Sequence, residues 1–167
     1  MTKPGYAHDE IIDIASADGL CAIHVSKYMM NREIGFGRRL LQILEEEQLS
    51  FEYVPSGLDN LSVILDSRSF TAQKERSVMG RIETELCTDD VVIEHGLSLI
   101  SIDGKNTSHS ADLVATACTA LADAGVNIEM INQGSSQTGI VFGVKETDRK
   151  RAVQALARAL NGKDGTN

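Results

Sequence analysis

Two blocks of the chain read as copies of one another: LCAIHVS (Leu20–Ser26) with SFEYVPSGLDNLSVIL (Ser50–Leu65), and LSLISID (Leu97–Asp103) with NIEMINQGSSQTGIVF (Asn127–Phe142). An offset of 77 residues superposes Leu20–Leu65 on Leu97–Phe142 without a gap, setting Leu20 on Leu97, Ile23 on Ile100, Leu44 on Leu121, Glu52 on Glu129 and Gly57 on Gly134. Identities are few. What is shared is the order: an apolar strand, a loop, an amphipathic helix, a strand opening polar-apolar-Glu, a glycine turn and another apolar strand. An internal repeat decides the architecture before any single residue does.

In the first copy Leu20–Ser26 reads as a strand, and Leu40, Leu41 and Leu44 supply the apolar stripe of a helix. Ser50–Val54 and Leu61–Leu65 read as two strands joined through Pro55, Gly57, Asp59 and Asn60, all turn-forming residue types. The spacing Val78, Ile82, Leu86 predicts a second helix within Ser69–Cys87, and Val91–Ile93 a short closing strand. In the second copy Leu97–Ile102, Ile128–Ile131 and Ile140–Val144 are strands, with Val114, Cys118, Leu121 and Ala122 facing inward from a helix. A last helix puts Ala152, Val153, Leu156, Ala157 and Leu160 on one face.

The fold class is therefore α+β: two tandem ferredoxin-like βαββαβ repeats, antiparallel sheets with the helices on one face. The expected boundaries are a linker or tail over 1–10, a first repeat over 19–95, a second over 96–162, and a tail over 163–167. The second copy runs out of chain before its closing strand, and the unassigned Ile11-Ile12-Asp13-Ile14 supplies one, so strand 11–15 is expected to complete the second repeat. Neither copy alone buries much, so association of the copies, or with a second chain, is expected.

The 167 residues, 42% hydrophobic and 24% charged, have an ordinary globular composition. A net charge of −8 disfavours nucleic acid and acidic membrane surfaces as partners. No apolar run approaches the roughly 20 residues that cross a bilayer, and the first residues lack a signal peptide's apolar region, so a cytoplasmic location is expected. Cys21, Cys87 and Cys118 are odd in number and far apart, and are expected to be reduced, mostly buried packing residues.

The segments SKYMMNREIGFGRRLLQILEEE (Ser26–Glu47), FEYVPSGLDNLSVIL (Phe51–Leu65) and VNIEMINQGSSQTGIVFGV (Val126–Val144) resemble the tandem ACT repeats at the C-terminal end of bacterial aspartokinases, best the lysine-sensitive class. The likeness covers roughly residues 11–160. It implies a regulatory region that binds a free amino acid, lysine and possibly threonine, between repeats, forms a homodimer through them, and inhibits a kinase domain. That domain phosphorylates L-aspartate to 4-phospho-L-aspartate with ATP and Mg²⁺. The family's catalytic Lys-Phe-Gly-Gly-Thr motif is absent from these residues, so no kinase activity and no cofactor are expected of the chain alone, whether it is a fragment or a separate regulatory subunit.

An amino acid presents a carboxylate and an ammonium, so its site needs clustered N–H donors and a carboxylate acceptor. Gly35-Phe36-Gly37 falls at a helix start, where unpaired N–H groups and the helix dipole favour an anion, and Glu52 suits the ammonium. By resemblance to the lysine-sensitive enzymes, the effector-binding positions are Met30, Gly35, Phe36, Gly37, Ser50, Phe51, Glu52 and Ser56: Met30 and Phe51 through backbone groups, Phe36 as an apolar wall, Ser56 through its hydroxyl. Where lysine-binding relatives carry a turn glutamate this chain has Leu58 beside Asp59, which leaves threonine, alone or with lysine, open. The equivalent Asn127–Ser136 segment is polar enough to bind as well.

Blander readings exist for each signal. Leu40 and Leu99 stand where Gly-rich phosphate motifs at Gly35 and at Gly104-Lys105 need glycine. His8, His24, His95 and His109 lack metal-ligand spacing, and no metal is expected. Met29-Met30 fit as gap-filling core residues, Glu45–Glu47 as the wet end of a helix, and the Asn106-Thr107-Ser108 sequon has no use in a cytoplasmic chain. The rival functions are a structural dimerisation module of the same fold without an effector, and a small acylphosphatase-like enzyme for which Asn31-Arg32 is a weak phosphate-loop candidate.

Overall fold

The computed structural model describes residues 13–103, 111–133 and 139–162. Its elements run β1 (Asp13–Ser26), α1 (Phe36–Glu46), β2 (Asn60–Asp66), α2 (Ala72–Leu86), β3 (Asp90–Asp103), α3 (Ala111–Asp123), β4 (Met130–Gln133), β5 (Ile140–Lys145) and α4 (Arg149–Asn161), with short 3-10 turns at Met30–Arg32 and Glu146–Asp148. The five strands form one sheet in the order β2-β1-β3-β5-β4. The chain divides into two compact units, Asp18–Ser98 and Met1–Ala17 with Leu99–Asn167.

In unit 18–98 the strand register does the work of building the core. β1 and β2 are antiparallel, with Cys21 opposite Leu65, Ile23 opposite Val63 and Val25 opposite Leu61. Alternation puts all six on one face, where they meet Leu40, Ile43 and Leu44 of α1 and Val78, Ile82 and Leu86 of α2 in a single buried cluster. The other strand face carries His24 opposite Ser62; the ring nitrogens pair with Ser62 Oγ at 2.8 Å and Glu94 Oε2 at 2.9 Å. His24 is thus a satisfied cross-strand histidine. Thr71 caps α2 by accepting the Lys74 N–H, and Arg81 of α2 pairs with Glu85 and with Glu46 at the end of α1.

The other unit repeats the plan: Ile100 and Ile102 of β3 and Ile140, Phe142 and Val144 of β5 bury against Leu113, Ala117 and Leu121 of α3 and Ala152 and Leu156 of α4. The α+β, ferredoxin-like class holds in both units.

Several local expectations are corrected. The stretches read as separate strands near 11–15 and 20–26 are one strand in their described part, β1, and Val91–Ile93 runs on into Leu97–Ile102 as β3. Ala-Asp-Gly and Glu-His-Gly look like breaks, yet Gly19 (φ 69°) and Gly96 (φ 72°) take left-handed backbone that lets a strand kink and continue, as at a β-bulge. Ser50–Val54 is no full strand: only Tyr53 bridges, to Ile64, because the chain is already turning at Pro55. In α3 the inward row is Leu113, Ala117, Leu121; Ala122 is exposed, one residue past it, while Val114 and Cys118 are half-buried at its edge. Cys87 is exposed, in left-handed conformation at the C-terminus of α2. The segments 1–10 and 163–167, Ile11, Ile12, His8, His109, Gly104-Lys105, Asn106-Thr107-Ser108 and Gly134–Ser136 lie outside the described residues. Among the described residues no helix is long and apolar enough to cross a membrane.

Leu40 and Leu121 are fully buried, one per unit; Leu40→Ala and Leu121→Ala should each destabilise by about 2–5 kcal/mol in urea unfolding, and a cost below about 1 kcal/mol would contradict the packing described. The Arg68 guanidinium and backbone N–H beside Asp66 hold its carboxyl at about 2, below 3.8. A lowered folded-state pKa means that its contribution is present above 3.8 and lost as pH falls through about 2. Side-chain carboxyl NMR should place the Asp66 midpoint near 2 and restore it towards 3.8 in Arg68→Ala, backbone contact aside.

Candidate functional site

The loop between β1 and α1 is tied down backbone atom by backbone atom. Lys27 N–H donates to Asp59 O (2.9 Å), Met29 N–H to Asp59 Oδ1 (2.8 Å) and Asn31 N–H to Leu58 O (3.0 Å), which staples the loop to the turn before β2. Tyr28 N–H donates to Asp89 Oδ2 at 2.6 Å. Within the loop, Met30, Arg32 and Glu33 N–H groups donate to Lys27, Met29 and Met30 carbonyls and close a 3-10 turn, entered through Met29 in left-handed backbone (φ 56°). Met30 is therefore brought against the turn that carries Ser56, Leu58 and Asp59.

From that turn the chain enters α1 at Gly35, the N-cap, whose φ of 79° is a conformation open to glycine at no steric cost. No side chain caps this helix, and its first turn holds no acidic residue. The first helical bond is Arg39 N–H to Gly35 O, so the N–H groups of Gly37 and Arg38 have no carbonyl a turn earlier in the helix. Two arginines, Arg38 and Arg39, add positive charge to the positive end of the helix dipole. This is an anion-accepting end, and a carboxylate is the anion an amino acid offers.

The other half follows α1. Leu49 N–H returns to Leu44 O and turns the chain out of the helix; Ser50, Phe51 and Glu52 are exposed, and Glu52 N–H donates to Ile64 O at 2.8 Å, fixing the segment on β2. The Glu52 carboxylate makes no hydrogen bond or ion pair with another described residue, so it stands ready for a cation. Of the eight positions picked from the sequence, Gly35, Ser50, Phe51, Glu52 and Ser56 are exposed and Gly37 is half-buried. Met30 (7% exposed) and Phe36 (3%) belong to the core, with the Phe36 ring 5.7 Å from the Lys27 ammonium. Asp59, offered by the sequence as a stand-in for a turn glutamate, spends one carboxylate oxygen on Met29 N–H.

Three residues that the sequence reading passed over complete the region. Lys27 Nζ meets Glu33 Oε2 at 2.5 Å and donates to Leu86 O at 2.6 Å, and Arg39 pairs with the other Glu33 oxygen. The hydrogen bond from Lys27, then that from Arg39, lowers the Glu33 carboxyl from its ordinary value. The signal available in the sequence was the placing of one acid between two cations around a Gly-x-Gly helix start, which has no helical or strand period. Among the described residues no cluster of His, Cys, Asp and Glu could hold a metal ion.

Comparison with known proteins shows what the chain and its fold are similar to. Residues 100–160 match the ACT domain family. Aspartokinase 3 of Bacillus subtilis is 51% identical over 156 residues, which make up 93% of this chain and 34% of that protein. The aspartate kinase of Clostridium acetobutylicum, described as allosteric, superposes with a TM-score of 0.83 at 30% identity, over 89% of this chain and 34% of that one. The regulatory subunit of aspartate kinase from Thermus flavus shares the fold (TM-score 0.75, 18% identity) over 87% of this chain and 95% of its own. The chain spans about a third of the length of the Bacillus and Clostridium enzymes. By sequence and by fold, the chain is similar to part of the aspartokinases, with an ACT-domain match over residues 100–160.

Proposed function

We propose that the chain senses a free amino acid, lysine and/or threonine, and through that binding feedback-inhibits the aspartokinase activity that phosphorylates L-aspartate to 4-phospho-L-aspartate with ATP. The observation that carries this reading is the presence, in the same unit, of an uncapped, positively charged helix start at Gly35–Gly37 and of the unpaired carboxylate of Glu52. An α-amino acid has the same two charges. Because the start of α1 and Glu52 lie at opposite ends of an 11-residue helix within one copy, the carboxylate takes the N–H groups at the start of α1 in one copy and the ammonium takes Glu52 of a facing copy in the homodimer, with the hydroxyls of Ser50 and Ser56 and the backbone of Met30 and Phe51 completing the polar contacts. The Clostridium relative's allosteric behaviour supports the reading.

Regulation then works by population shift. The effector favours one of two arrangements of a homodimer built through the ACT repeats, and the kinase domain, the expected covalent or subunit partner, responds; the coupling is no larger than the effector's differential affinity for the two arrangements. We place the assembly in the cytoplasm, where its metabolite effector is.

A second reading, a structural dimerisation module without an effector, has its own observation. Tyr28, Met29, Ile34, Phe51 and Leu58 are large, apolar and exposed, and all lie in the loops that carry the candidate site. Such exposure marks an interaction surface.

Calorimetry of the chain with lysine and threonine, singly and together, separates the readings: the sensor binds one or both saturably, the module binds neither. Glu52→Ala should abolish binding with the circular dichroism and unfolding midpoint unchanged, since the side chain is exposed and unpaired. Unaltered affinity in that variant would remove Glu52 from the site.

A further inference from the structure

Of the apolar side chains in the loop that carries Met30 and Gly35, Met30 alone is buried. Ile34 is 96% exposed and Tyr28 75%, and the backbone twice enters the left-handed region, at Met29 and Gly35. Left-handed backbone at a residue with a side chain persists only where the surroundings impose it. The backbone hydrogen bonds to Leu58 and Asp59 hold the first half of the loop. Across the second half, one side chain spans the gap: Glu33 grips Lys27, at the end of β1, with one oxygen, and Arg39, in the first turn of α1, with the other.

Lys27 is itself anchored by Leu86 O at the end of α2, and Arg39, whose Nε is buried without a hydrogen-bond partner, is held by Glu33. Without the Glu33 charge, Lys27 and Arg39 would face each other as like charges about one carboxylate apart.

We propose that Glu33 is the positioning residue of the effector site: a carboxylate latch that clamps the end of β1 to the start of α1 and so sets the helix N–H groups in register for an incoming carboxylate. The proposal rests on the effector reading above. Glu33 touches no ligand in this scheme; it acts through the loop. Its removal has two opposed effects. It makes the helix start more positive, which favours an anion, and it unlatches the loop, which lowers the fraction of chains competent to bind and weakens apparent affinity by that fraction. Near the surface the first effect is screened by salt, so the second dominates at physiological ionic strength.

The test uses Glu33→Gln, nearly isosteric and uncharged, and Glu33→Asp, charged and shorter, in the whole chain. Amide hydrogen exchange reads the loop without a ligand: in Glu33→Gln the Asn31, Arg32 and Phe36 amides should exchange at least tenfold faster, with Ile23 and Val63 in the strands unchanged. Calorimetry with lysine and threonine should show affinity lowered roughly five- to twentyfold in Glu33→Gln and partly restored in Glu33→Asp. Unchanged loop exchange overturns the latch. Faster loop exchange with unchanged affinity overturns its positioning role. If the wild-type chain binds neither amino acid, the effector reading fails and with it the positioning role, while the exchange data still decide the latch.

Discussion

Every feature of the candidate site hangs on one packing constraint: α1 must lay Leu40, Ile43 and Leu44 onto the face of β1 and β2 built by Cys21, Ile23, Val25, Leu61, Val63 and Leu65. Burying a side chain of this size is worth about 1.5–3 kcal/mol, whereas the polar ties at either end of the helix are individually near 1 kcal/mol. The apolar stripe therefore decides where the helix lies, and the loops accommodate. That is why the β1–α1 loop accepts left-handed backbone at Met29 and why exposed apolar residues cluster there: the geometry is imposed from below, not chosen by the loop.

Much of this was legible in the residues. The repeat, the helices, β2 and the inward rows of unit 18–98 follow from periods of 2 and 3.6, because burial on one face selects those positions. What escaped falls into two kinds. Strand continuity through Gly19 and Gly96 was hidden because Asp-Gly and His-Gly look like punctuation, and only tertiary pairing turns such a glycine into a kink within a strand. The shortening of Ser50–Val54 to a single bridge at Tyr53 has the same origin: alternation is necessary for a strand, but the ladder needs a partner in register.

The second kind is the charge network. Lys27, Glu33 and Arg39 are six residues apart on either side, on a strand end, a loop and a helix, so no periodic rule connects them; chain direction reverses between them and brings them together. The helix start at Gly35–Gly37 and the exposed carboxylate of Glu52 were readable as structure, since both are local features of the chain. The sequence could not say that Met30 and Phe36 would be drawn into the core, because a loop residue's burial depends on the helix it leads into.

The electrostatics resolve an apparent conflict between an acidic chain and the proposed uptake of an amino acid's carboxylate. The chain carries −8, yet around the start of α1 stand Lys27, Arg32, Arg38 and Arg39 against Glu33. At a Debye length near 8 Å the distant acids are screened, and the local cations with the helix end set the field that a ligand meets. Within one copy the donors sit before the first turn of α1 and Glu52 follows its last, so in the proposed site a zwitterion, whose two charges are only a few ångströms apart, meets them from two copies of the chain. An 11-residue helix is about 16 Å long and stiff, so neither half can adjust to a ligand without moving against a packed core. In the proposed site ligand binding and helix position are thereby linked, which is the mechanical requirement for an effector to be felt beyond its own contacts.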